Sequence, residues 1–136
     1  MKSITTYLSF DGNCRQAMTF YQQCLGAELT INAYPDASGQ PSTDPAAKVM
    51  HAQLVLQGAP ILMASDTPQP GTLQHGNNFS VSIDCHSRDE IERLFSGLAL
   101  KGAVRMPVTD APWGAVFGML TDQFGIQWML NCFLSK

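Results

Sequence analysis

The chain has 136 residues, 45% of them hydrophobic and 14% charged, which suits one domain with a substantial core and argues against disorder. Its net charge of −3 includes only eight basic residues, and these are scattered. No basic stripe is available for a phosphate backbone, so nucleic acid is not an expected partner. The apolar runs are far too short for a membrane span, and the start, Met1-Lys2-Ser3-Ile4-Thr5-Thr6, has no signal-peptide apolar region. The expectation is a cytoplasmic protein with neither a membrane nor a nucleic-acid partner.

In chain order, Ile4 to Phe10 reads as a strand. A helix is predicted from Cys14 to Cys24, with Ala17, Phe20, Tyr21 and Leu25 on one face, Asn13 as N-cap and Gly26 as the stop. Glu28 to Tyr34 returns as a strand. The segment Pro35 to Pro45 is loop, rich in Pro, Ser, Asp and Gly. Lys48 to Leu56 and Ile61 to Ala64 form a hairpin about the tight Gln57-Gly58-Ala59-Pro60.

The second half repeats this order. From Phe79 to Cys85, apolar and polar residues alternate as in a half-buried strand. Ser87 followed by Glu90 is a capping box, and Ile91, Leu94, Phe95 and Leu98 share a helix face that ends before Gly102. Ala103 to Val108 is a strand, and Ala115 to Leu120 with Ile126 to Phe133 closes a hairpin turned at Thr121 to Gly125. The fold class is therefore α+β, as two βαβββ modules over residues 1–66 and 76–133 of a single domain. In each module a sheet covers one face with its helix and curls the other around a cavity. Asp11 and Asp84 end equivalent strands, which favours a capping role for both. Cys14, Cys24, Cys85 and Cys132 lie far apart with no C-x-x-C pair, and read as small buried hydrophobes.

Several stretches, taken in order, resemble PhnB-like proteins of the glyoxalase/bleomycin-resistance/dioxygenase (vicinal oxygen chelate) superfamily. They are Tyr7 to Cys14, Ala17, Phe20-Tyr21, Leu25 to Glu28, Met50-His51-Ala52, Met63 to Asp66, Trp113-Gly114, Phe117-Gly118, and the ending Thr121 to Asn131. The resemblance spans nearly the whole chain. It implies the paired βαβββ fold, a homodimer or closed pseudo-dimer, and a ligand held inside the curled sheets. Some PhnB-like sequences carry a demethylubiquinone methyltransferase label. No Gly-rich loop follows the first strand here, as a methyl-donor fold would require.

In the superfamily's metalloenzymes, His, Gln or Glu from strands one, four, five and eight hold a divalent ion. The matching positions here are Thr6, Leu62 or Met63, Asn78 and Met129, and a thioether does not replace a carboxylate on a hard ion. His51, His75 and His86 show no metal-motif spacing. No metal and no other cofactor are expected. A relocated site using His51 and Asp66 is the alternative.

The candidate ligand-binding residues are His51, Asp66, Asn78, Trp113, Phe117 and Met129. His51 offers a polar group in the cavity to orient or deprotonate a ligand, against the alternative of a hydrogen-bonded core histidine. Asp66 either organises a turn or pairs with His51. Trp113 and Phe117 offer aromatic walls, and the methionines a pliable floor or plain core filling. The leading function is a small-molecule binding protein without the usual metal ligands. The alternatives are a divalent-metal-dependent glyoxalase- or dioxygenase-like enzyme and an interaction or regulatory module. No Arg or Lys cluster supports a phosphonate ligand.

Overall fold

A computed structural model describes residues 1–134, which divide after Gln74 into two compact units. The first contains β1 (Tyr7–Phe10), α1 (Cys14–Leu25), β2 (Glu28–Ala33), β3 (Val49–Leu56) and β4 (Ala59–Asp66). The second contains β5 (Val81–Asp84), α2 (Arg88–Leu98), β6 (Ala103–Ala111), β7 (Ala115–Thr121) and β8 (Gln127–Phe133). Each unit is thus βαβββ, as the repeat predicts. Among the described residues no helix is long and apolar enough to cross a membrane.

The two mixed sheets share one topology. Their strand orders are β1-β4-β3-β2 and β5-β8-β7-β6, with the first pair parallel and the others antiparallel. Neither sheet closes on itself. In each unit the crossover helix supplies the cover a parallel pair needs. In the first, α1 buries Cys14, Ala17, Met18 and Tyr21 against a sheet face that carries Leu8, Phe10, Ala52, Leu54, Leu62 and Ala64. In the second, α2 buries Ile91, Leu94, Phe95 and Leu98 over Leu120, Trp128 and Leu130. Gly118 lets Phe95 lie directly on β7, since a Cβ there would come 2.8 Å from Phe95 Cε2.

Side-chain alternation leaves the opposite face of each sheet without a helix. One bulge decides which residues reach it. Asn32 pairs with His51 but Ala33 pairs with Val49, so Met50 is an extra residue in β3. Val49 is thereby buried toward α1, Met50 bulges out exposed, and His51 falls on the helix-free face.

The expected elements differ from the observed ones mainly at their ends. Ile4 is 86% exposed, and β1 begins only at Tyr7. The strand expected at Phe79 starts at Val81. β6 continues to Ala111, because shifts of register on either side of Met106 carry Pro107 without ending the strand. Ser87 caps α2 as expected: its hydroxyl accepts the Glu90 N–H at 3.1 Å, while the Glu90 carboxylate accepts the His86 N–H at 2.9 Å. Asn13, by contrast, makes no side-chain cap for α1. That cap arrives from 52 residues away, where Asp66 Oδ1 accepts the Cys14 N–H at 2.9 Å.

Candidate functional site

The candidate site residues lie on the helix-free faces. In the first unit the strand pairings set Tyr7, Met63, Gln53 and Thr30 in one row across all four strands. Ser9 stands beside Ser65, and His51 beside Asn32. Directly opposed residues share a face, and these are polar apart from Met63, with Val55 opposite Glu28 farther along the same side. Tyr7 Oη lies 3.2 Å from His51 Nδ1, with the rings 5.8 Å apart and tilted by 34°. A phenol that donates to Nδ1 leaves the ring proton on Nε2.

Asp66 lies elsewhere. It has the parity of Leu62 and Ala64, faces α1, and is 2% exposed. Oδ1 accepts from Cys14 N–H, and Oδ2 accepts from Val49 N–H at 2.8 Å. A carboxylate at a helix N-terminus also complements the dipole there. Of the two sequence readings, the organising one describes this arrangement. His51 and Asp66 lie on opposite faces of the sheet and do not converge, so a metal site built on that pair does not form. Beside this carboxylate the Cys14 thiol is pushed up to about 12, chiefly by burial, then by the Asp66 charge, with Arg15 acting in the opposite sense.

In the second unit the helix-free face has two distinct rows. Asp84, Asn131, Phe117 and Thr109 form one, and Ser82, Met129, Met119 and Met106 the other. Trp113 sits in the Pro112–Gly114 turn between β6 and β7, 57% exposed. Its indole N–H donates to Asn131 Oδ1 at 3.4 Å, and its ring meets Phe117 edge-on with centroids 5.5 Å apart. Trp113, Phe117 and Met129 are therefore brought to one face. Asn78 is exposed in the segment before β5 and joins none of these contacts.

Tyr7, Gln53 and Asn131 are among the face residues that the sequence alone did not single out. Period-two alternation from His51 and Met129 reaches Gln53 and Asn131 directly. Tyr7 needs the strand pairings.

The superfamily's metal positions can now be read in place. Leu62 is buried under α1 while Met63 is on the open face, and Thr6 lies just before β1 with its carbonyl accepting the Met63 N–H. The first unit thus offers a hydroxyl and a thioether, and the second an amide and a thioether. These do not fit a hard divalent ion. Among the described residues no group of three His, Cys, Asp or Glu side chains could hold a metal.

The second unit has a buried carboxylate of its own. Asp122, 4% exposed, accepts from the Trp128 indole at 2.8 Å and from the Phe124 and Ile126 amides, fixing the β7–β8 turn.

A sequence profile of the family described as 3-demethylubiquinone-9 3-methyltransferase matches residues 2–131. The protein YjdN of Escherichia coli (strain K12) is 33% identical over 139 residues, covering 94% of this chain and 93% of that one. Protein PA1353 from Pseudomonas aeruginosa superposes with a TM-score of 0.83 at 40% identity, covering 99% of this chain and all of that one. A PhnB protein from Bacillus cereus gives 0.78 at 29% identity, covering 96% and 99%. The fold extends to a glyoxalase/bleomycin resistance protein/dioxygenase family member from Burkholderia phytofirmans, with a TM-score of 0.65 at 14% identity and coverage of 96% and 97%.

Proposed function

The chain belongs to the PhnB-like family described as 3-demethylubiquinone-9 3-methyltransferase, and from that premise we propose that it is a small-molecule binding protein of the glyoxalase/bleomycin-resistance type. One observation carries this reading. On the helix-free face of the second unit, Trp113 stands half out of the protein, edge-on to Phe117 and hydrogen-bonded to Asn131, beside a row of three methionines.

Aromatic walls with a few polar groups are the usual lining of ligand sites. The amide of Asn131 supplies orientation, and the thioethers of Met129, Met119 and Met106 supply a surface that adjusts to varied shapes. The ligand class is flat and apolar, with one or two hydrogen-bonding groups. On the first unit, His51 and Tyr7 serve polar parts of a ligand.

The family's description names methyl transfer. In this chain β1 is followed by Asp11-Gly12-Asn13, a loop with one glycine, and the first amide of α1 is already taken by Asp66. These residues do not fit a methyl donor of the Gly-loop kind, and no step is drawn through one. Assembly as a homodimer and residence in the cytoplasm belong to the same reading.

The test uses the two indole N–H signals in a 1H–15N spectrum. Titration with a panel of planar metabolites should move the Trp113 signal and leave that of Trp128, which is buried and tied to Asp122. A Trp113→Ala variant should weaken binding at least tenfold, the worth of a stacking anchor of about 1.4 kcal/mol or more. A ligand that binds without moving the Trp113 signal would refute the assignment of the site.

A further inference from the structure

Where β2 leaves the first sheet, the chain makes an ordered excursion before returning as β3. Tyr34 N–H donates to the Lys48 carbonyl at 3.0 Å, Pro35 bridges to Pro41, and Asp36 N–H donates to the Gln40 carbonyl at 2.8 Å. Beside this loop lies an open cleft of about 380 Å³, lined by Tyr34, Pro35, Asp36, Ser42, Lys48 and Pro68 among others. That volume lies within the range of small-molecule sites.

Its walls are apolar and rigid, a tyrosine ring and two prolines, but it carries one charge of each sign. Asp36 is fixed in place: Oδ1 accepts the Ser38 hydroxyl at 2.6 Å, the Ser38 N–H at 2.9 Å and the Gln40 N–H at 3.3 Å. These bonds, the Ser38 hydroxyl first, hold its carboxyl below the usual value, so it is ionised at neutral pH. Oδ2 has no partner among the described residues. Lys48 is half-buried, and no carboxylate among the described residues lies within ion-pair reach of it. Two opposite charges, each without a counterion, face one cleft.

We infer that this cleft is a second ligand site, which takes a small zwitterion of the amino-acid type. The ligand's carboxylate meets the Lys48 ammonium, its ammonium meets Asp36 Oδ2, and an apolar side chain packs against Tyr34 and the prolines.

The test is a 1H–15N titration of the whole chain with L-phenylalanine, N-acetyl-L-phenylalanine and L-phenylalaninamide. L-Phenylalanine should move the amide signals of Asp36, Ser42 and Lys48 with a Kd of about 1 mM or tighter. Each blocked derivative lacks one charge and should bind about tenfold more weakly. A Lys48→Met variant should lose the same factor for L-phenylalanine and no longer distinguish it from the amide. An unchanged spectrum elsewhere verifies the variant's fold. Equal binding of all three compounds, or no shift at roughly 10 mM, overturns the proposal. So does movement of the Trp113 indole signal in place of the loop amides, which would put the amino acid on the open face of the second sheet.

Discussion

Replacing Asp66 by Asn should be among the most costly single-atom changes in this chain. The side chain is 2% exposed, and each carboxylate oxygen accepts one backbone N–H, from Cys14 and from Val49. An amide keeps one acceptor and turns an NH2 group toward the other N–H. One charge-assisted hydrogen bond is lost, worth about 1.5–3 kcal/mol, and a donor is left facing a donor in a buried place. The interaction with the α1 dipole falls as well, by roughly 0.3–1 kcal/mol. The expected loss is about 2–4 kcal/mol, read as a lower urea midpoint at constant m. For a chain of this size that corresponds to a fall in Tm of roughly 6–20 °C. Asp11 is the control. It accepts the Gly71 N–H at 3.0 Å but is exposed, so Asp11→Asn should stay within about 0.5 kcal/mol. Equal stability of Asp66→Asn and the parent would refute the reasoning, as would unchanged hydrogen-exchange protection of the Cys14 and Val49 amides.

Two further outcomes follow from the same geometry. The Cys14 thiol, raised to about 12 by burial and by Asp66, stays protonated in the folded state while an unfolded thiol ionises near 9. Its contribution is complete below pH 9 and is lost as pH rises from about 9 toward 12. The slope is at most about 1.4 kcal/mol per pH unit. Urea titrations across that window should show Cys14→Ala to be less alkali-sensitive than the parent, and equal slopes would exclude Cys14 as the cause. Tyr7→Phe removes the hydroxyl 3.2 Å from His51 Nδ1. Long-range 1H–15N spectra should place the proton of neutral His51 on Nε2 in the parent and on both nitrogens in the variant. An Nδ1-protonated ring in the parent would reverse the direction of that hydrogen bond.

The features that could be read from the sequence were those encoded locally. The repeat of βαβββ, the Ser87–Glu90 capping box, the glycine after α1 and the alternation through β5 each depend on residues a few positions apart. Asp66 shows where that reading stops. Asp66-Thr67-Pro68 has the composition of a turn, yet its partners are 52 and 17 residues away. Whether it shares a face with His51 depends on the β3–β4 hairpin, which contains a register shift between Leu54 and Val55. That irregularity has no signature in composition. Trp113 and Phe117 could be chosen because large aromatics near Gly and Pro are conspicuous. Asn131, which ties Trp113 to the sheet, sits two residues beyond Met129 in an unremarkable strand and needs the β7–β8 pairing to be seen. Asn78, chosen from the resemblance, stands apart from these contacts in its exposed segment.

The extra residue at Met50 also uncouples two parts of the first unit. On one side of it, Ala52 and Leu54 are locked to β4. On the other, Val49 and Lys48 belong to the mouth of the long loop, through Asp66 and Tyr34. Without the extra residue, plain alternation from Ala52 would carry Val49 to the His51 side and take its amide away from Asp66. With one unpaired residue between them, the loop can be lengthened, shortened or recomposed while the imidazole keeps its station.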